Sequence, residues 1–308
     1  MRQTLRIGSR GSRLALWQAE FVKGLIQEKF PDIKVEISVI RTTGDRILDS
    51  PLSVIGGKGV FVKEIEEALL IGDVDIAVHS MKDLPTLLPE RLTIGAVAKR
   101  HDPRDALVSN GNVKFSQLSK GAKVGTSSIR RQAQLLSLRP DLEIIPIRGN
   151  VDTRVRKLRA DGYDSIVLAL AGLERMGLVN EITEVFPVDA MIPAPGQGII
   201  AIECREDDSE ISRLLSEINH NDSWIAASAE RAFLEALSGS CQVPAGCYTE
   251  VKGDGIKIIG LIASPDGQNI IKEDIEGPSQ NDKSLGKELA ERILQKGGSE
   301  ILSALVSG

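Results

Sequence analysis

A chain of 308 residues with 38 basic and 43 acidic side chains has a formal net charge of -5, which gives it no bulk attraction for nucleic acid or an anionic membrane. Its 42% hydrophobic and 26% charged content is that of a globular, water-soluble protein of two or three domains. No apolar run approaches the roughly 18 residues of a membrane helix, and arginines in "MRQTLRIGSRGSRLALWQ" stand where a signal peptide needs an apolar stretch, so a cytoplasmic location is expected.

In chain order, "LRIGS" (5–9) reads as a buried strand, and the helix after it puts Leu14, Trp17, Phe21, Val22 and Leu25 on one face. "KVEISVI" (34–40) alternates with the period of a strand. "GVFVKEIEEALLIG" is an amphipathic helix with Phe61, Ile65 and Leu69 in line and Gly72 as its stop. "VDIAVHS" (74–80) and "LTIGAVA" (92–98) are strands again. Strands separated by helices predict parallel pairing with right-handed crossovers, an open α/β sheet.

"KRHDPRD" (99–105) has the composition of a linker, and beyond it the rhythm restarts through "AKVGTS", "SIRRQAQLLSLR", "LEIIPIRG", "VDTRVRKLRADG" and "SIVLAL". "IPAPGQG" (192–198) leads into a strand, "IIAIEC", as a second crossing between two lobes. Lobes joined in this way place ligands in the cleft between them, at the carboxyl ends of strands. A helix with Trp224, Ala227, Phe233 and Leu234 follows, then hairpins marked by Asp-Gly turns, then a closing helix, "LGKELAERILQKGG". The expected fold class is α/β, two lobes with a double crossover and a small C-terminal α+β domain. The expected boundaries are 1–98 with 199–217, 102–195, and 220–308.

Chemistry is expected at strand ends. "AVHSMKDLP" delivers Lys82 and Asp83 just past a strand, although a solvated turn has the same composition. In "VGTSSIRRQAQL" a strand runs into Gly125, Thr126, Ser127 and Ser128 and opens a helix carrying Arg130 and Arg131; backbone N–H groups, hydroxyls and the helix dipole there favour an anion. Plain N-capping by Ser127 or Ser128 has the same signature. "SRGSRLAL" repeats the arrangement with Arg10 and Ser12, and "GGKGVF" with Lys58, where Gly59 in place of Ser or Thr argues against a Walker phosphate loop.

Residues 126–159 hold eight basic against three acidic side chains, among them Arg148 and Arg154. Guanidinium groups in such number suit a ligand with many carboxylates or a phosphate backbone. The 3% aromatic content leaves few rings for base stacking and disfavours nucleic acid.

The cysteines Cys204, Cys241 and Cys247 form an odd set without C-x-x-C spacing, so neither a disulfide framework nor a metal site is expected. In "LSGSCQVPAGCYTE", the neighbours Gly239, Ser240, Gln242 and Pro244 place Cys241 on a loop, where a thiol is accessible. As a hydrolytic nucleophile it would need His79, His101 or His220, and nothing local pairs it with any of them.

With "GSRGSRLALWQA", "HSMKDLP", "GTSSIRRQAQL", "IRGNVDTR", "PAPGQGIIAIECR" and "GSCQVPAG" present in order, the chain resembles the porphobilinogen deaminase (hydroxymethylbilane synthase) family over its whole length. The resemblance implies three domains, the first two arranged like periplasmic binding proteins. It implies an enzyme that joins four porphobilinogen molecules head to tail into hydroxymethylbilane, releasing ammonia, as a cytoplasmic monomer in tetrapyrrole (heme) biosynthesis. It further implies a dipyrromethane cofactor attached through Cys241, with Asp83 as the catalytic carboxylate. Lys82, Thr126, Ser127, Ser128, Arg130, Arg131 and Arg148 become cofactor binders by the same resemblance. Arg10, Ser12, Lys58, Arg148, Arg154, Arg175 and Gln197 become substrate binders, Lys58 on a mobile loop and Gln197 near the lobe hinge. Cys247 has no role in the family pattern. The rival reading, a non-catalytic two-lobed receptor for a polycarboxylate, explains the arginines and leaves Cys241 without a task.

Overall fold

The computed structural model describes residues 3–43, 62–237 and 243–307, and the chain divides into two compact units. The first comprises Met1–His101 with Ile199–Trp224, the second Asp102–Gly198 with Ile225–Gly308.

In the first unit the strands are β1 (Thr4–Ser9), β2 (Lys34–Val39), β3 (Ile76–Ser80) and β4 (Leu92–Val97). The second unit contributes β5 (Asp105–Ser109), β6 (Lys123–Gly125), β7 (Glu143–Ile145), β8 (Ser165–Ala169) and β9 (Glu184–Val185). The chain then returns to the first unit as β10 (Ile200–Arg205).

The first sheet has the order β2-β1-β3-β10-β4. β1 is parallel to β2 and β3, as expected, but β10 runs antiparallel to both β3 and β4, so the sheet is mixed. The cause is topological: β10 arrives from the other unit rather than over a crossover helix. The second sheet, β7-β6-β8-β5-β9, has the same plan. β6 is parallel to its neighbours, and β5, the strand that opens the unit, is antiparallel to β8 and β9. In both sheets the strand at a unit crossing occupies the fourth place.

The helix Arg13–Lys29 starts where Ser12 Oγ accepts from Ala15 N at 3.3 Å. It buries Ala15, Gln18, Ala19, Val22 and Ile26, while Leu14, Trp17, Phe21 and Leu25 are only half-buried. The buried stripe is thus turned about one residue from the expected face. Small residues let the helix approach the sheet, and the rings pack on the flank, Trp17 stacked on Phe21 at 5.3 Å. Asp105 is not linker, as the composition of 99–105 suggested, but the first residue of β5.

The last part of the second unit is an antiparallel sheet of β11 (Ala245–Lys252), β12 (Gly255–Ala263) and β13 (Ile270–Pro278). The helices Asn221–Ala236 and Asp282–Ile293 supply Phe233, Leu289 and Ile293 to its fully buried core, beside Cys247 and Ile258. The expected closing helix is broken: a π-helical turn at Leu294–Gly298, with Gly297 at φ +109, precedes a last helix, Ser299–Ser307.

Candidate functional site

Parallel strands end together. In the first unit β1 and β3 pair in parallel, so Arg10 and Ser12 after β1 and Lys82 and Asp83 after β3 lie at the same carboxyl edge of the sheet. β3 leads directly into a short 3-10 turn, Met81–Asp83. Met81 N donates to Ile199 O at 3.0 Å, and Gln18 Nε2 donates to Ser80 Oγ at 2.9 Å. These bonds pin the turn on two sides. Met81 is buried, Lys82 half-buried and Asp83 exposed. The Asp83 carboxylate has no hydrogen bond or ion pair with any described residue.

In the second unit β6 ends at Gly125 and the chain turns into the helix Ile129–Leu138. The hydroxyls of this corner serve the fold. Thr126 Oγ1 accepts from Ser128 N at 3.1 Å, Ser127 Oγ donates to Ile147 O at 2.8 Å, and Ser128 Oγ caps the helix by accepting from Arg131 N at 3.4 Å. Arg130 and Arg131 are each only 5% exposed.

Both guanidiniums converge on Asp105, which is fully buried. Arg131 donates to Asp105 Oδ1 through Nε at 3.1 Å and Nη2 at 2.7 Å, and to Val167 O through Nη1 at 3.1 Å. Arg130 Nη2 stands 2.8 Å from Asp105 Oδ2, while its Nη1 donates to Ile192 O at 2.7 Å. Gln197 joins them, its Nε2 donating to Asp105 Oδ1 at 2.9 Å and Pro103 O at 2.6 Å. Burial alone would push the Asp105 carboxyl up; the charges of Arg130 and Arg131 outweigh it and hold the group well below the usual carboxylate range. Burial lowers the Arg130 guanidinium from its ordinary value, against the opposing pull of Asp105.

Arg148 follows β7 and is half-buried, and Arg154 Nε donates to Gly149 O at 2.7 Å. Arg175, at the end of the helix after β8, is buried and donates through Nη2 to Gly198 O at 2.7 Å. Its burial pushes the guanidinium down to about 10, still charged at neutral pH. Lys58 and Cys241 lie outside the described residues. The other two cysteines are buried, and burial pushes the Cys204 thiol up to about 11. Cys247 on β11 packs in the core of the three-stranded sheet.

The structure therefore brings Arg130, Arg131 and Gln197 together on one carboxylate that sequence reasoning did not single out. A lone acid at the head of the apolar run "DALVS" was the available signal, since an isolated charge leading a buried strand needs a partner. Among the described residues no cluster of His, Cys, Asp and Glu is arranged to hold a metal, and no helix is long and apolar enough to cross a membrane.

Residues 5–213 match the family described as "Porphobilinogen deaminase, dipyromethane cofactor binding domain", and residues 224–295 match "Porphobilinogen deaminase, C-terminal domain". A porphobilinogen deaminase of Geotalea uraniireducens is 52% identical over 98% of this chain and 94% of its own. One from Geobacter sulfurreducens is 52% identical over 97% of this chain and 94% of its own. Among solved structures, the methionine binding protein MetQ aligns with 14% identity and a TM-score of 0.45 over 74% of this chain and 95% of its own, too distant to add to the topology above. The chain belongs to the porphobilinogen deaminase family, and it is an enzyme, a transferase of tetrapyrrole biosynthesis.

Proposed function

We propose that this enzyme joins four porphobilinogen molecules head to tail into hydroxymethylbilane, releasing one ammonia for each, on a dipyrromethane primer held through Cys241. The observation that carries the reading is the Asp105 cluster. Two buried guanidiniums on one carboxylate leave a positive charge that no described residue balances, and Arg130 Nε is buried there without a hydrogen-bond partner. An anion answers both deficits, and each pyrrole ring of the cofactor bears an acetate and a propionate. The residues present thus fit the group.

When bound, dipyrromethane supplies a fixed primer that carries the growing chain. Cys241 is left as its anchor because Cys204 and Cys247 are buried thiols, and a thioether, unlike a thioester, resists hydrolysis. Arg130 and Arg131, with Lys82, Thr126, Ser127, Ser128 and Arg148, hold cofactor carboxylates through charge-assisted hydrogen bonds. Arg10, Ser12, Lys58, Arg148, Arg154, Arg175 and Gln197 serve the incoming porphobilinogen. Asp83, exposed on its turn, accepts from pyrrole N–H groups, balances the cation formed as ammonia departs, and moves the protons of loss and coupling. The three-domain division 1–98 with 199–217, 102–195 and 220–308, and action as a monomer in the cytoplasm, belong to the same proposal.

Intact mass of the denatured enzyme tests the anchor. The expected result is a mass above that of the chain by two pyrrole units, absent in Cys241→Ser and present in Cys247→Ala. Asp83→Asn is expected to keep the added mass and lose nearly all ammonia release. An active protein of bare sequence mass would overturn the reading.

A further inference from the structure

Arg130 is held at two points and has one group left over. Its Nη2 stands 2.8 Å from Asp105 Oδ2 and its Nη1 donates to Ile192 O at 2.7 Å, while Nε is buried without a hydrogen-bond partner. A planar guanidinium fixed through two nitrogens has its third nitrogen fixed with them. The placing of Asp105 Oδ2 and Ile192 O therefore decides what Nε can reach. Asp105 opens β5 and keeps its place in that sheet. Ile192 belongs to no helix or strand, so its carbonyl has to be oriented by the groups around it.

Gln134 does this. It lies one turn beyond Arg130 in the helix Ile129–Leu138 and is 3% exposed. Toward Ile192 it acts as a neighbouring strand would: Oε1 accepts from Ile192 N at 2.7 Å and Nε2 donates to Ile192 O at 3.0 Å. Nε2 also reaches Arg130 O at 3.3 Å. Ile192 O thus takes donors from both Gln134 and Arg130, which fills the two lone pairs of a carbonyl. β11 closes another side, because a Cβ on Gly246 would come within 2.9 Å of Ile192 O, and Cys247 N donates to Pro193 O at 2.9 Å. Further along the same segment, Glu230 of the helix Asn221–Ala236 accepts from Gly196 N at 2.6 Å and from Thr249 N of β11 at 2.7 Å. Residues 192–198 are therefore fastened to the helix that precedes Cys241 in the chain and to the strand that follows it, and Gln134 fastens the arginine helix to residues 192–198.

Charge explains why an amide stands here and not an acid. Arg130, Arg131 and Asp105 together carry a single net positive charge. A carboxylate at position 134 would itself supply the missing negative charge and draw Arg130 toward it. The neutral amide orients the carbonyl and leaves that charge to a ligand. We propose that Gln134 is a positioning residue of the cofactor site: by fixing the Ile192 carbonyl it sets the Arg130 guanidinium so that Nε meets a pyrrole carboxylate. This rests on the cofactor role given to Arg130 above.

The test compares the parent with Gln134→Glu and Gln134→Met, reading the added mass, the urea midpoint, and kcat and KM of the loaded fraction. Gln134→Glu keeps the acceptor for Ile192 N and brings its own negative charge to the cluster. It is expected to unfold no earlier in urea than the parent, yet to carry less than about half of the parent's added mass, because its charge stands in for the ligand's. A residue that only held the fold together would lose added mass and stability in step. Gln134→Met keeps the size and loses the hydrogen bonds to Ile192 and Arg130. In its loaded fraction kcat is expected to fall about tenfold, the primer being held off its working place, with KM within about twofold of the parent. Full added mass in a folded Gln134→Glu enzyme overturns the proposal. If that variant does not fold, a parental kcat in loaded Gln134→Met overturns it instead. A parent enzyme that is active without added mass would count against the function proposed above and not against the placing of Arg130.

Discussion

Asp105 is the buried carboxylate on which the two buried arginines Arg130 and Arg131 converge. Replacing it with Asn keeps the shape and, in the enzyme without its cofactor, takes from two buried guanidiniums the carboxylate they share. Removing one member of a buried ion pair costs about 3–5 kcal/mol, so Asp105→Asn is expected to lower stability by that order in urea unfolding at neutral pH. A loss below about 1 kcal/mol, the worth of an exposed pair, would mean that the arginines are not held as described. The residue scale is also where the sequence was least complete. Arg130 and Arg131 stood out as arginines at a helix start, but whether a guanidinium faces water or a buried acid depends on the tertiary fold. Asp105 sits 25 residues upstream of Arg130 in a stretch whose proline and charges resemble a linker. His79 and Glu203 are 124 residues apart and become neighbours only through strand register.

Among the elements, the helix Ile129–Leu138 is fixed from several sides. Gln132 Nε2 donates to Pro265 O at 3.1 Å, and Gln134 exchanges two hydrogen bonds with the backbone of Ile192, at 3.0 and 2.7 Å. The turn between β12 and β13 lies against it so closely that a Cβ on Gly267 would meet Ala133 O at 2.4 Å, and Gly267 has φ +70. Gly267→Ala is therefore expected to cost about 1–3 kcal/mol in backbone strain plus the displacement of the turn. Because the displaced helix carries Arg130 and Arg131, the variant is expected to retain less of the added cofactor mass than the parent. A stable variant with full added mass would refute the coupling. Elements with clear period were legible: β1, β2 and β3, and the helices that follow β1 and β2. β9 has two residues, too short for any pattern, and the antiparallel sense of β10 is invisible in "IIAIEC" because composition carries no strand direction. The helix face was missed by one residue because its deepest stripe is Ala and Gln, not the Trp and Leu that hydropathy selects.

At the scale of the molecule, the first unit is discontinuous. β10 lies between β3 and β4, so a fragment ending at residue 198 lacks a strand from inside its first sheet and keeps every strand of its second. Hydrogen exchange on that fragment is expected to show protected amides in β5, β6 and β8 and unprotected ones in β1 and β3. Equal protection in both sheets would contradict this. The discontinuity also sets an order of events during synthesis. All strands of the second sheet lie between residues 105 and 185, whereas the first stays open until residue 205. The half of the enzyme that the ribosome emits first is therefore the half that completes its sheet last, and the nascent chain must keep a gap between β3 and β4 while its successor is already closing.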